Sequence, residues 1–341
     1  MTNSFTITRR AVFLAPLALA ACKYAARVFE LTGHTMGTTY TVVAVDRDRA
    51  LSEGDVLSAI RNSLAQVNAE MSNWDASSEI SNFNTARSTG SFAVSPALAK
   101  VVATAQDIKA ATGGKFDLTV GPLIDLWGFG ANGPSANMPS ERAIADAMTT
   151  NGVGGDLLVN GNALSKSAAE TEIYVSALGK GHGVDRVADS LRKLGLKDFM
   201  VEIGGDLVTS GLNAESKPWQ IGIEKPTLIE RAAQKVIGAS NYGVATSGDY
   251  RNYFERDGVR YSHILDAQTG MPVTHATASA TVFAENAMLA DAWSTAMLVL
   301  GRERGLEVAE EFDLAVYFLD RAKDGSGFTP IASPRFEAMS A

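Results

Sequence analysis

Between residues 52 and 71 the apolar side chains Leu57, Ile60, Leu64, Val67 and Met71 recur at three- and four-residue steps, which predicts an amphipathic helix. Ser52 with Asp55 three positions on supplies a capping pattern at its start. Ser95-Pro96 opens a second helix with Leu98, Val101, Val102, Ala105 and Ile108 along one face, and Gly113-Gly114 stops it. A third helix is expected over 180–194, carrying Val184, Val187, Leu191 and Leu194 and ended by Gly195; a fourth spans 287–300 and ends at Gly301. β-Branched residues over 31–45, broken by Gly33 and Gly37, predict strand, turn and strand. Residues 200–203 and 207–210 flank Gly204-Gly205-Asp206 as a hairpin would. Short strands are expected near 219–223, Val244, Ile264 and 277–283, with 313–319 closing the chain and 128–139 forming a loop. Strands and helices alternate without a regular βαβ beat, so the expected class is α+β rather than a doubly wound sheet.

Composition narrows the function. With 46% apolar and 20% charged residues, the chain of 341 residues is not disordered and can bury a substantial core. Thirty basic against 38 acidic side chains give a net charge of −8, and no Lys/Arg cluster forms the basic stripe that nucleic acid requires. The single cysteine excludes an internal disulfide, and the four histidines are too scattered for a structural zinc site. No apolar run has the length of a bilayer span. Residues 1–22 read as an export signal: Thr8-Arg9-Arg10, an apolar stretch over 11–21, then Cys22. Paired arginines hint at the twin-arginine route. Leu19-Ala20-Ala21-Cys22 resembles a lipobox, in which case a lipidated Cys22 would attach the protein to a membrane. The expected location is the periplasm, and residues 23–341 form the functional body, with no internal repeat or linker to divide it.

The candidate chemistry lies in glycine-rich loops: Met36-Gly37-Thr38-Thr39, Gly113-Gly114-Lys115-Phe116-Asp117, Gly179-Lys180-Gly181, Gly204-Gly205-Asp206 and Ser247-Gly248-Asp249. Glycine lets backbone amides approach a ligand, so together they suggest a large phosphate-bearing ligand enclosed by several loops. None is a P-loop or a dinucleotide fingerprint. Asp291 and Thr295 stand four residues apart on an otherwise apolar helix, which places a carboxylate and a hydroxyl on one face. That pair suits magnesium; equally, Thr295 could bond back to the carbonyl of Asp291. His263, in a predicted short strand before the turn Gln268-Thr269-Gly270, could serve as a general base or as a hydrogen-bonded strand residue. No GxSxG, HExxH or kinase signature occurs.

In order along the chain, these segments match the motifs of a known family: Met36-Gly37-Thr38-Thr39-Tyr40, Met71-Ser72-Asn73-Trp74, residues 78–84, residues 114–123, and Leu126-Trp127-Gly128-Phe129-Gly130. Ala177-Leu178-Gly179-Lys180-Gly181, Ile203-Gly204-Gly205-Asp206, Ser247-Gly248-Asp249-Tyr250, His263-Ile264-Leu265-Asp266 and residues 290–295 complete the series. The chain resembles the ApbE-type FAD:protein FMN transferases over about residues 31–319. The resemblance implies an α+β, T-fold-like architecture with FAD as substrate and Mg2+ as cofactor. FMN would pass to a threonine of a partner, a flavin-accepting membrane electron-transfer subunit, with release of AMP. It places Met36, Trp74, Lys115, Phe116, Asp117, Lys180 and Leu265 at the FAD, and gives the metal the carbonyl of Ala177 and the side chains of Asp291 and Thr295. His263 becomes the base. Asn84 stands at a position the family associates with transfer rather than hydrolysis. Two departures are visible: Tyr174 replaces a customary aspartate beside the flavin, and Asp266-Ala267 replaces Asp-Pro. The signal also resembles that of the branch serving nitrous oxide reductase maturation. An FAD pyrophosphatase and a non-catalytic FAD-binding lipoprotein are the alternatives.

Overall fold

Eight strands pair in the order in which they occur along the chain, each antiparallel to its neighbour: β1 (Arg27–Thr35), β2 (Thr38–Asp46), β3 (Asp198–Ile203), β4 (Asp206–Ser210), β5 (Gly243–Gly248), β6 (Thr277–Ala284), β7 (Ala315–Arg321) and β8 (Phe328–Ala332). The computed structural model describes residues 26–130, 138–150, 152–227, 232–324 and 327–340. The expected signal over 1–22 and most of the loop over 128–139 lie outside the described residues. Between β2 and β3 the chain inserts helices α1 (Glu53–Met71), α2 (Glu79–Thr85), α3 (Pro96–Ala111), α4 (Gly121–Leu126), α5 (Glu141–Thr150) and α6 (Ser176–Lys193). Helix α7 (Ala287–Glu311) joins β6 to β7, and α8 (Pro334–Ser340) follows β8.

The alternation of side chains along a strand sends them to opposite faces. In β7, Val316 and Phe318 join one core with α3 and α7, while Ala315, Tyr317 and Leu319 join another with the hairpin Trp219–Glu224/Ala233–Ala239 and α8. A third core packs α1 and α6 on β2 and β3 through Ile60, Leu64, Val184, Leu191, Val42 and Val201. The sheet is therefore covered on both faces.

Helix α1 has the full capping box, Ser52 Oγ accepting from Asp55 N at 3.2 Å while Asp55 reaches back to Ser52 N. The α+β class holds. Four expectations are corrected. Gly33 does not interrupt β1; the ring of Tyr40 lies over it, so that a Cβ there would stand 2.5 Å from ring atoms. The strand expected to close the chain is β7, and β8 and α8 follow it. At Gly301, with φ +72°, the helical geometry stops as expected, but a second helical stretch runs on to Glu311; the ring of His275 fills the space a side chain at 301 would need. His263 lies at a bend between the strands Val259–Ser262 and Leu265–Asp266, not within a strand.

Candidate functional site

Helices α6 and α7 meet at Gly181, where a Cβ would stand 2.3 Å from the carbonyl oxygen of Ala287. This contact brings Asp291 on α7 against the start of α6. Asp291 is 2% exposed. Its Oδ2 accepts from the amide of Gly181 at 3.0 Å and its Oδ1 lies 3.4 Å from Lys180 Nζ. Ala177, one turn before Gly181 on α6, lines the same cavity as Asp291. Lys180 Nζ also pairs with Asp206, at the β3–β4 turn. Thr295 Oγ1 lies 3.0 Å from Ser247 Oγ, which bonds Ser294 Oγ at 2.8 Å. The back-bond to the Asp291 carbonyl is made by Ser294, at 2.9 Å, rather than by Thr295.

Two buried carboxylates here face one ammonium. Burial and the charge of Asp291 push the Asp206 carboxyl up, against the pull of Lys180. Burial opposes the charge of Lys180, but Asp206 and Asp291 outweigh it and hold the ammonium protonated, above its usual range. Carboxylate, hydroxyl and carbonyl oxygens beside surplus negative charge fit a hard divalent cation such as magnesium. Among the described residues no cluster of three or more His, Cys, Asp or Glu could hold a metal by itself.

His263 is held at both its backbone and its ring: the amide and Nδ1 each lie 3.1 Å from the carbonyl of Asn252. A carbonyl only accepts, so Nδ1 carries the hydrogen and Nε2 keeps a free lone pair. Burial lowers the pKa of the ring, which is neutral at physiological pH. Phe129 meets it edge-on at 6.3 Å, and behind Phe129 the rings of Phe254, Tyr261 and Trp127 stack at 5.8, 5.3 and 5.8 Å. Trp127 anchors this stack by donating to the carbonyl of Gly270 at 2.8 Å. Asp266, three residues on from His263, instead takes Lys115 Nζ at 2.5 Å.

These groups border one cavity of about 870 Å3, toward the large end of the 300–1,000 Å3 typical of small-molecule sites. Trp74, Phe116, Asp117, Ala177, Lys180, His263, Leu265, Asp291 and Thr295 all line it. Trp74, 67% exposed, stands at the mouth with its ring edge to Tyr174, centroids 6.4 Å apart. Asn84 does not line the cavity; its amide spans the backbone of Ile173 (2.8 and 2.9 Å) and so fixes the segment that carries Tyr174. Met36 and Lys115 are not among the lining residues: the Met36 methyl rests on Gly183, and Lys115 ends on Asp266. Asp206 was legible as part of a glycine-rich loop and motif but its pairing was not, since its partner Lys180 comes from another element. Ser247 and Tyr250, from the glycine loop and motif over 247–250, line the cavity as well, and Glu224 and Arg251 do so without a local sequence signal.

A model of the ApbE family matches residues 36–318. The FAD:protein FMN transferase of Vibrio cholerae is 40% identical over 321 residues, covering 94% of this chain and 95% of that protein. Its namesake from Haemophilus influenzae is 41% identical over 329 residues, covering 95% and 94%. Among solved structures, the flavin transferase ApbE from Vibrio cholerae matches with a TM-score of 0.85 and 39% identity, over 92% of this chain and 99% of that one. The apo form of Pseudomonas stutzeri flavinyl transferase ApbE matches with a TM-score of 0.83 and 35% identity, over 92% and 97%. With agreement in sequence and architecture over nearly the whole length, the chain belongs to the ApbE family.

Proposed function

We propose that this protein is an FAD:protein FMN transferase that moves FMN from FAD to a threonine hydroxyl of a partner protein and releases AMP. The observation that carries the reading is the meeting, in one cavity, of the Ala177–Asp291–Thr295 oxygen set with a neutral His263 whose Nε2 is free. Magnesium, when bound, would neutralise charge on the pyrophosphate and make its phosphorus more open to attack. Lys180 adds a fixed positive charge beside the departing phosphate oxygen. His263 Nε2 takes the proton of the threonine Oγ as that oxygen bonds to the FMN phosphorus. The P–O bond to AMP then breaks, and AMP leaves with the bonding pair. Trp74 and Tyr174 offer ring surfaces to the isoalloxazine at the cavity mouth. We propose further that residues 1–22 direct export to the periplasm, with Cys22 as the lipidation site, and that the acceptor is a membrane electron-transfer subunit.

Incubation of the purified protein with FAD, Mg2+ and a candidate acceptor, followed by mass spectrometry, tests the reading. The acceptor should gain the mass of an FMN phosphoester, and neither its Thr→Ala variant nor a reaction in chelator should. Release of FMN and AMP with an unlabelled acceptor would make the protein a pyrophosphatase. FAD retained without turnover would make it a carrier.

A further inference from the structure

Asp185 lies on α6, two turns beyond Ala177 and outside the cavity lining. Its carboxylate crosses to the start of α7, where Oδ1 accepts from the amide of Ala287 and Oδ2 from the amide of Met288, both at 2.9 Å. Helix α7 already has its own N-cap, since the Asn286 side chain accepts from Leu289 at 2.9 Å. Asp185 therefore takes the two amides that the local cap leaves over. The exchange is reciprocal. Helix α6 lends a carboxylate to the backbone of α7, and α7 lends Asp291 to the amide of Gly181 in α6. Between these two cross-bonds the backbones touch at Gly181, with Ala287 and Met288 opposite. On the far side of this junction Gly243 is equally close, a Cβ there falling 2.1 Å from the Asn286 carbonyl carbon.

We infer that Asp185 is a positioning residue of the reaction centre: it clamps α6 to α7 so that Ala177 and Lys180 on one helix meet Asp291 and Thr295 on the other at the spacing that metal binding needs. The inference rests on the metal reading proposed above. Burial pushes the Asp185 carboxyl up to about 6 while the two amide bonds pull the other way, so it is ionised at neutral pH. An ionised carboxylate at a helix N-terminus is favoured by the helix dipole and bonds amides strongly. Asp291 follows one turn after Ala287, and Thr295 one turn later. A shift at the α7 start therefore moves both along a stiff rod.

The test is a binding isotherm of Mg2+ to the FAD-loaded protein with no acceptor present, alongside FAD affinity by flavin fluorescence and fold by circular dichroism. Asp185→Asn keeps the volume but turns a donor toward one of the two amides. Loss of a group that orients metal ligands typically costs about 10–100-fold in metal affinity, and the loss of one that sets two ligand-bearing helices is expected on that scale. A loss of that size, with FAD affinity changed by less than about threefold on the same scale, is the expected result. Asp185→Glu keeps the charge but is one methylene too long for the gap closed by Gly181, and should weaken Mg2+ in the same direction. A wild-type isotherm in Asp185→Asn overturns the inference. So does wild-type binding in Asp185→Glu, which would mean that charge at a distance, not position, matters. Loss of fold in both variants also overturns it, since the residue would then be a requirement of the scaffold. If the wild-type protein itself shows no Mg2+ binding, the metal reading fails and this inference falls with it.

Discussion

His263 is set between opposing influences: burial lowers its pKa, with Lys180 acting in the same direction, while the bond to Asn252 and the charge of Asp249 raise it. Burial wins, so the base form should persist below the ordinary histidine value of about 6.5. The acid limb of the transfer rate is therefore expected below that pH. His263→Asn should cut transfer by about 10²–10⁴ and leave FAD titration near wild type. A wild-type rate in that variant at neutral pH would make the ring structural. His182 offers a separate test. Burial drives its pKa down to about 4, helped by Arg186 and Lys100 and opposed by Asp189. Between about 6.5 and 4 the unfolded chain binds a proton that the folded one refuses, so this group's contribution to stability is full above that window and falls as the pH drops through it. Thermal unfolding across the window should be less pH-dependent in His182→Gln than in wild type.

At the scale of elements, the hairpin Tyr253–Arg256/Val259–Ser262 brings Asn252 and His263 together at its open end. Asp257 and Gly258, both with positive φ (51° and 76°), form its two-residue turn, a signal present in the sequence but not singled out there. A two-stranded hairpin is only marginally stable alone, and here Phe254 joins it to Phe129 through stacked rings. Phe254→Ala removes both of that residue's ring contacts, each worth about 0.5–1.5 kcal/mol beyond area burial. The loosened His263 should slow transfer by about 10–100-fold, as misplacement of a reacting group does. The melting temperature and FAD binding should stay close to wild type, because none of the three cores of the sheet includes the hairpin. Unchanged transfer would show that Asn252 alone holds the ring. Helix α1 and the β3–β4 hairpin, by contrast, follow from local periodicity, caps and turn glycines.

Across the whole molecule, the first strand of the sheet begins at Arg27, and among the described residues the three cores of the sheet are built from residue 26 onward. A protein starting at Lys23 is therefore expected to fold and bind FAD; a folded circular dichroism spectrum without FAD binding would contradict this. No helix among the described residues is long and apolar enough to cross a membrane. The sequence by itself determined the α+β class, the main helices with their caps, and the residue types of the site, because three- and four-residue periodicity and turn chemistry act over short range. Its ordered motifs also carried the family resemblance. Only the tertiary structure decided which charges meet. Lys180 bonds Asp206, 26 residues away, and approaches Asp291, 111 residues away. Met36 and Lys115 carry motif residues yet turn to Gly183 and Asp266. Such encounters depend on how closely two helices pack, and here that distance is set by the missing side chain of Gly181 and the carboxylate of Asp185, which no local pattern of the chain encodes.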